Sequence, residues 1–89
     1  MLLTLDDAVA AARGGASQYA DGDVLWARIG AYTSYANGYA VKTPPIPRPE
    51  AFVWEITLGT NPGPLMAQGE TFLVDATDGH VVEQWSWIS

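Results

Sequence analysis

The stretch "ETFLVDATDGHVVEQW", residues 70–85, sets two apolar runs on either side of Thr77-Asp78-Gly79, and the chain's only histidine, His80, comes next. An Asp-Gly pair between two alternating segments is a hairpin signal, because glycine takes the positive φ that a tight turn needs. The turn can close in two ways, and they place the side chains differently. A two-residue Asp78-Gly79 loop pairs Phe72 with Trp85 and Val74 with Glu83, which sets an unpaired carboxylate among apolar side chains, where burial is costly. A three-residue Thr77-Asp78-Gly79 loop with a bulge at Gly79 shifts the pairing by one. Phe72, Val74, Val82 and Ile88 then face inward together, while Asp75, Glu83, Trp85 and Trp87 face outward. The three-residue turn is the expected one.

That turn accounts for "DATDGH" without chemistry. Gly79 supplies the left-handed conformation, Asp78 suits the position before it, and His80 opens the last strand. Asp75, Asp78 and His80 could be drawn together as metal ligands, but neither their number nor their spacing matches a metal-site type. No serine sits in a nucleophile elbow for His80 to serve. The ten acids of the chain single out no glycosidase-like carboxylate pair. Gly14-Gly15 follows a helical pattern rather than opening one, so no phosphate-cradling loop is present. The expectation is a protein without catalytic residues, metal or cofactor.

Upstream, "TLDDAVAAARGG" predicts one short helix. Thr4 is the N-cap, Asp7 stands three residues on as an acidic capping-box partner, and Asp6 and Asp7 complement the helix dipole. Leu5, Ala8, Val9 and Ala12 share one face, and Gly14-Gly15 ends the run. Those side chains are small, so the helix should lie close against a sheet. "ASQYADGD" follows as a loop. From Val24 the period changes to two, with Leu25, Ala27, Ile29 and Ala31 alternating with Trp26, Arg28 and Tyr32. Asn37-Gly38 is a tight-turn dipeptide, and "KTPPIPRPE" forms a Pro-rich loop at about 42–50 that cannot join a sheet interior. Its P-x-x-P spacing, Pro44 to Pro47, is read as a stiff connection rather than a ligand motif. "AFVWEITLGT" is the clearest strand, with Phe52, Trp54, Ile56 and Leu58 on one side and Val53, Glu55 and Thr57 on the other. "NPGPLMAQG" follows as a loop before the final hairpin. The expected fold is α+β: one N-terminal helix packed on one face of a roughly four-stranded antiparallel sheet, in chain order.

Composition sets the limits. Eighty-nine residues make one domain that buries roughly 60–65% of its unfolded surface. With no cysteine, no disulfide or thiolate site reinforces it. The four tryptophans, four tyrosines and two phenylalanines must supply much of the burial. A formal charge of −6 argues against a phosphate-backbone binder, so no nucleic-acid partner is expected, and it is compatible with a basic partner. No apolar run approaches the ~18 residues of a membrane span. The start, "MLLTLDDAV", lacks the parts of a secretion signal. The expected location is extracytoplasmic if a leader precedes this start in the native chain and cytoplasmic otherwise.

"LTLDDAVAAA", then "FVWEITL", then "ETFLVDATDGHVVEQW" together resemble the PepSY domain family over some 50 of the 89 residues. Val74-Asp75-Ala76-Thr77-Asp78-Gly79-His80-Val81-Val82 fits that family's V-D-A-x-T-G-x-V hairpin, with Asp78 where threonine is usual. The 34–50 segment and the missing export signal depart from it. The resemblance implies an alanine-rich helix on an antiparallel sheet, and a small non-enzymatic module that accompanies and modulates peptidases. The alternative is an acidic immunity-type protein that neutralises a partner toxin.

A single helix covers one sheet face, so Trp26, Val53, Leu73 and Trp85 on the other are expected to form a partly exposed apolar patch. Such a patch would contact a protein partner or a second copy of the chain, unless residues 34–50 cover it. Peptide addition along a sheet edge is another route to a partner. For the turn, the expected outcome is that added divalent metal leaves the melting temperature unchanged, since a ligand specific to the folded state would raise it. A scan of Tm against zinc, calcium and magnesium checks this.

Overall fold

The computed structural model describes residues 2–32, 52–63 and 66–88. Within them run helix α1 (Leu5–Gly15) and strands β1 (Asp23–Ala31), β2 (Phe52–Gly63), β3 (Met66–Asp75) and β4 (Val81–Ile88). The four strands make one antiparallel sheet in the order β1-β2-β3-β4, and α1 packs on one of its faces. This is the α+β architecture that the periodicities predict. The Asn37-Gly38 turn and the Pro-rich stretch at 42–50 lie outside the described residues.

α1 begins as its sequence dictates. The Thr4 Oγ1 accepts the Asp7 amide at 3.2 Å, with Asp6 and Asp7 in the first turn and Arg13 in the last. Ala8 and Ala12 are fully buried. Two methyl side chains let the helix axis approach the sheet, where it closes over Ile56, Leu58, Phe72 and Val74. Val9, Ala11, Trp54 and Val81 pack around this core. Leu5, expected on the buried face, is instead exposed in the first turn.

The hairpin differs from expectation in one residue, with consequences for both faces. Asp75 donates its amide to the His80 carbonyl at 2.7 Å, and the Gly79 amide returns to the Asp75 carbonyl at 2.9 Å. Gly79 has a φ of 81°, the left-handed conformation its position called for. The Thr77 amide bonds to Asp75 Oδ1 and the His80 amide to Asp78 Oδ1, each at 2.8 Å. The turn is thus one residue longer than expected, and the bulge sits in β4, between the Val74↔Val81 and Leu73↔Glu83 pairs. Beyond the bulge the register is the one expected, with Phe72 opposite Gln84. Because Val82 is the extra residue, Val81 takes the place on the helix side, and Val82 packs with Val53 and Leu73 on the other.

Three further expectations are corrected. "NPGPLMAQG" is not a loop: β2 and β3 continue through it, pairing Gly59 with Gly69, Thr60 with Gln68 and Gly63 with Met66. Pro62 falls in the irregular stretch between Thr60 and Gly63, where a missing amide donor is tolerated. A Cβ on Gly59 or on Gly69 would run into the backbone of the opposing strand, so the pair of glycines is required by the close crossing. Leu25 drops out of the β1 alternation at a bulge, so that Val24 faces Leu58 and Ala27 faces Ile56. Phe52 and Ile88, assigned to the core, are both exposed at strand ends.

What joins α1 to the sheet is a residue to which the sequence patterning assigned no role. Glu70 lies on the helix side of β3, in the same alternation as Phe72 and Val74, and is buried. Its carboxylate accepts the amides of Ser17, Gln18 and Tyr19, each at 3.1 Å, and the Ser17 hydroxyl at 2.7 Å. Burial pushes its pKa up, but the Ser17 hydroxyl and the three amides outweigh it and hold the group below the ordinary glutamate range.

Glu70→Ala would leave three amides and a hydroxyl without their acceptor and should cost about 3 kcal/mol. Because the folded-state pKa is depressed, this stabilisation is present above the unfolded value and fades as the pH falls below about 4.5. Urea midpoints should therefore separate wild type from Glu70→Gln at pH 7 and converge towards pH 3. A constant difference across that range would show that the charge is not what holds the loop.

Candidate functional site

The face away from α1 is built from cross-strand rows. Trp26 on β1 is opposite Thr57, Thr57 opposite Thr71, and Thr71 opposite Trp85 on β4. The two tryptophans thus stand at opposite edges of one row, three strand spacings or about 14 Å apart. Between them the two threonine hydroxyls share a hydrogen bond of 3.0 Å, and Trp87 donates its Nε1–H to Thr71 at 3.0 Å. The neighbouring row holds Arg28, Glu55, Leu73 and Glu83.

At the β1 edge Trp26 is 54% exposed, yet fixed. Its Nε1–H donates to Glu55 Oε1 at 2.9 Å. The same oxygen accepts Arg28 Nε at 2.8 Å, and the Arg28 guanidinium lies 5.7 Å from the centre of the Trp26 indole. Glu55 therefore orients an indole and a guanidinium that also stack on each other.

The centre of the face is closed. Tyr32, directly after β1, lies over Val53 and Leu73, with Val82 and Trp85 packed at the margin. Its hydroxyl donates to Glu83 Oε2. Burial, the hydrogen bond to Glu83 and the Glu83 charge all push the Tyr32 pKa well above the ordinary tyrosine value. Glu83 is itself buried, and its Oε1 has no hydrogen-bond partner.

All four residues of the expected patch share this face, but they do not form one exposed surface. Val53 and Leu73 are 0% exposed, which corrects the expectation that they would be open to a partner. Trp85 is half-buried and Trp26 open. Moving Glu83 to this side did not keep it in water either, because Tyr32 folds over it. Arg28 and Glu55, which the patch had left out, are what fix Trp26. A tryptophan two residues before an arginine on one strand face is the signal that would have drawn attention to them.

At the hairpin tip, Asp75 and Asp78 spend side-chain oxygens on turn amides. Among the described residues no group of His, Asp and Glu side chains is arranged to hold a metal ion, and no helix is long and apolar enough to cross a membrane. Comparison with protein families, with characterised proteins and with solved structures finds no match to this chain. The likeness to the PepSY pattern rests on the residues quoted for it alone.

The raised pKa of Tyr32 has a definite sign. Its neutral form is favoured in the folded state, so the stabilisation is complete below the unfolded value and is lost as the pH rises above about 10. Wild type should lose stability between pH 10 and 11.5 more steeply than Tyr32→Phe, as read from urea midpoints. At pH 7, where this stabilisation is complete, Tyr32→Phe leaves the Glu83 carboxylate with no donor and should cost about 2–3 kcal/mol, a difference that narrows above pH 10.

Proposed function

We propose that this chain is a small non-enzymatic binding module of PepSY type that acts by protein–protein contact, with a peptidase as the partner the resemblance implies. Trp26 is the anchor, supported by Arg28 on β1, with Trp85 at the far edge of the same row. The observation that carries this reading is the state of Trp26. A large aromatic side chain is held out of the core, with its N–H satisfied by Glu55 and its face covered by Arg28. Tryptophan and arginine are the residue types that dominate binding energy at interfaces, and a pre-oriented pair loses less entropy on binding than a mobile one. Val53 and Leu73 serve the reading as the support beneath Tyr32, not as contact residues.

The test uses the peptidase encoded nearest the gene, with binding measured by calorimetry and peptidase activity measured alongside. Trp26→Ala should weaken binding by on the order of 2 kcal/mol, about thirtyfold, and relieve any inhibition in proportion. Trp85→Ala should weaken binding too, with a larger stability cost because Trp85 also packs on the Tyr32 cluster. Trp54→Ala, on the helix side, should cost stability without a specific loss of binding in the molecules that remain folded. Unaltered binding by Trp26→Ala would remove the anchor from the reading, and an unbound, uninhibited peptidase would remove that partner.

A further inference from the structure

The sheet ends on two strands, and they present different edges. β1 is interrupted by the bulge at Leu25 and carries Asp23 and Arg28, features that discourage a further strand from adding. β4 is regular from Glu83 to Ile88, pairing residue by residue with Leu73 back to Gln68. That run contains no proline, lysine or arginine, and its one charge, Glu83, is buried against Tyr32.

The direction of the β4 backbone groups follows from the turn. Asp75 donates its amide to the His80 carbonyl and accepts the Gly79 amide, so its backbone faces β4, whereas the Ala76 amide reaches Phe52 on β2. By alternation Leu73, Thr71 and Gly69 face β4 as well, opposite Glu83, Trp85 and Trp87. The amides and carbonyls of Gln84, Ser86 and Ile88 therefore point away from the sheet. Apart from the β3 ladder, the hydrogen bonds of this run involve its side chains, from Tyr32 to Glu83, from Gln84 to Gly15 and from Trp87 to Thr71. Among the described residues no strand lies beyond β4. Gln84 and Ser86 are exposed, and Ile88 is 77% exposed.

We propose that β4 is a dimerisation edge, on which the β4 of a second copy adds antiparallel about a two-fold axis at Ser86. Two-fold pairing must set outward-facing residues opposite one another. Centring it on Ser86 pairs Ser86 with itself and Gln84 with Ile88 on each side, so that all three outward residues bond, through roughly six hydrogen bonds. Centring it on Trp85 would leave Ile88 opposite Val82, the bulge residue. On the Trp26 face the Ser86 register sets Trp85 of one copy opposite Trp87 of the other, twice, in the closely spaced position that suits cross-strand aromatic pairs. On the helix face it brings the exposed Ile88 beside the Gln84 that reaches the end of α1 in the other copy. No charge stands opposite a charge, because Glu83 falls outside the paired run. This self-complementarity favours a second copy over an unrelated strand. The charge of −6 on each copy opposes their approach only through solvent, so salt relieves it. Trp26 stands at the other edge of the sheet, so the inference is independent of the function proposed above.

Sedimentation velocity on the full chain tests this. Wild type should be monomeric at about 1 µM and dimeric by about 1 mM, and the dimer should tighten as salt rises from about 0.05 to 0.5 M. Ser86→Lys and Ser86→Glu each set like charges against one another on the axis, and each should weaken the dimer roughly fivefold or more. Mixed in equal amounts the two variants should restore it, since lysine then meets glutamate. Ser86 is exposed, so circular dichroism should show the fold retained. Trp26→Ala should dimerise as wild type does, whatever it does to partner binding, so the two readings fail separately. The proposal is overturned if wild type stays monomeric at about 1 mM, if both Ser86 variants dimerise as wild type does, or if their mixture stays monomeric. It is overturned equally if salt weakens the dimer, or if Trp26→Ala abolishes it, which would place the interface at the β1 edge.

Discussion

A carboxylate taken out of water costs several kcal/mol unless its lone pairs are met, and Glu70 is placed where only the chain itself can meet them. Its side chain points into the helix side of β3, and the three consecutive amides of Ser17, Gln18 and Tyr19 turn towards it. Successive amides converging on one anion form a concave nest, here occupied by a residue more than fifty positions away. The interaction determines where α1 stops and the direction in which the chain leaves it for β1. Arg13 tightens the same loop through the Ala20 and Gly22 carbonyls, and Gln84 on β4 reaches the Gly15 carbonyl at 3.1 Å. A helix that buries mainly alanine gains little from transfer to the core. Its attachment combines this polar staple with the apolar surface of Ile56, Leu58, Phe72 and Val74 that it covers.

The two faces of the sheet are held by different physics as a result. On the helix side, aliphatic and alanine side chains interlock and the buried Glu70 carboxylate is met by three amides and a hydroxyl. On the other, Tyr32 folds back over Val53 and Leu73 and satisfies one oxygen of Glu83 while the second has no partner. A buried acceptor left in this state is a net loss to stability. The Tyr32 closure is therefore the less secure of the two. The indole at the β1 edge is outside it, oriented by Glu55 rather than by packing.

The parts of the fold that follow from local rules were legible in the sequence: the Thr4 cap, the alanine face of α1, the period of two in β2 and in β1 beyond its bulge, and the left-handed Gly79. What was not legible depended on long-range chemistry. The alternation that warned against burying Glu83 beside Phe72 applies equally to Glu70, but the amides that satisfy Glu70 lie in a segment whose composition says only "loop". Prolines hid the continuation of β2 and β3, because the ladder there carries an irregularity that makes Pro62 tolerable. The bulge at Val82 changes which of two adjacent valines meets the helix, and no property of a Val-Val pair chooses between them. Of the expected site, the face was legible for all four residues but the exposure was not, since the cover over Val53 and Leu73 comes from Tyr32 at the end of another strand.

Exposure alone does not separate the tryptophans into structural and functional ones; the fate of each indole N–H does. Trp54 donates to the Leu3 carbonyl and so ties the segment before α1 to the sheet, while Trp87 donates to the Thr71 hydroxyl within the β3–β4 pair and is half-buried. Trp26 donates to Glu55, a side chain on the adjacent strand that already holds Arg28, and joins no element that the β1–β2 ladder does not already join. Its contribution to folding is therefore small, while its indole is half in water. A partner that covers it would remove apolar surface without stranding a donor, because the N–H bond to Glu55 can persist in the complex. That combination of little structural duty, a satisfied polar atom and a fixed orientation is why the function proposed for this face rests on Trp26.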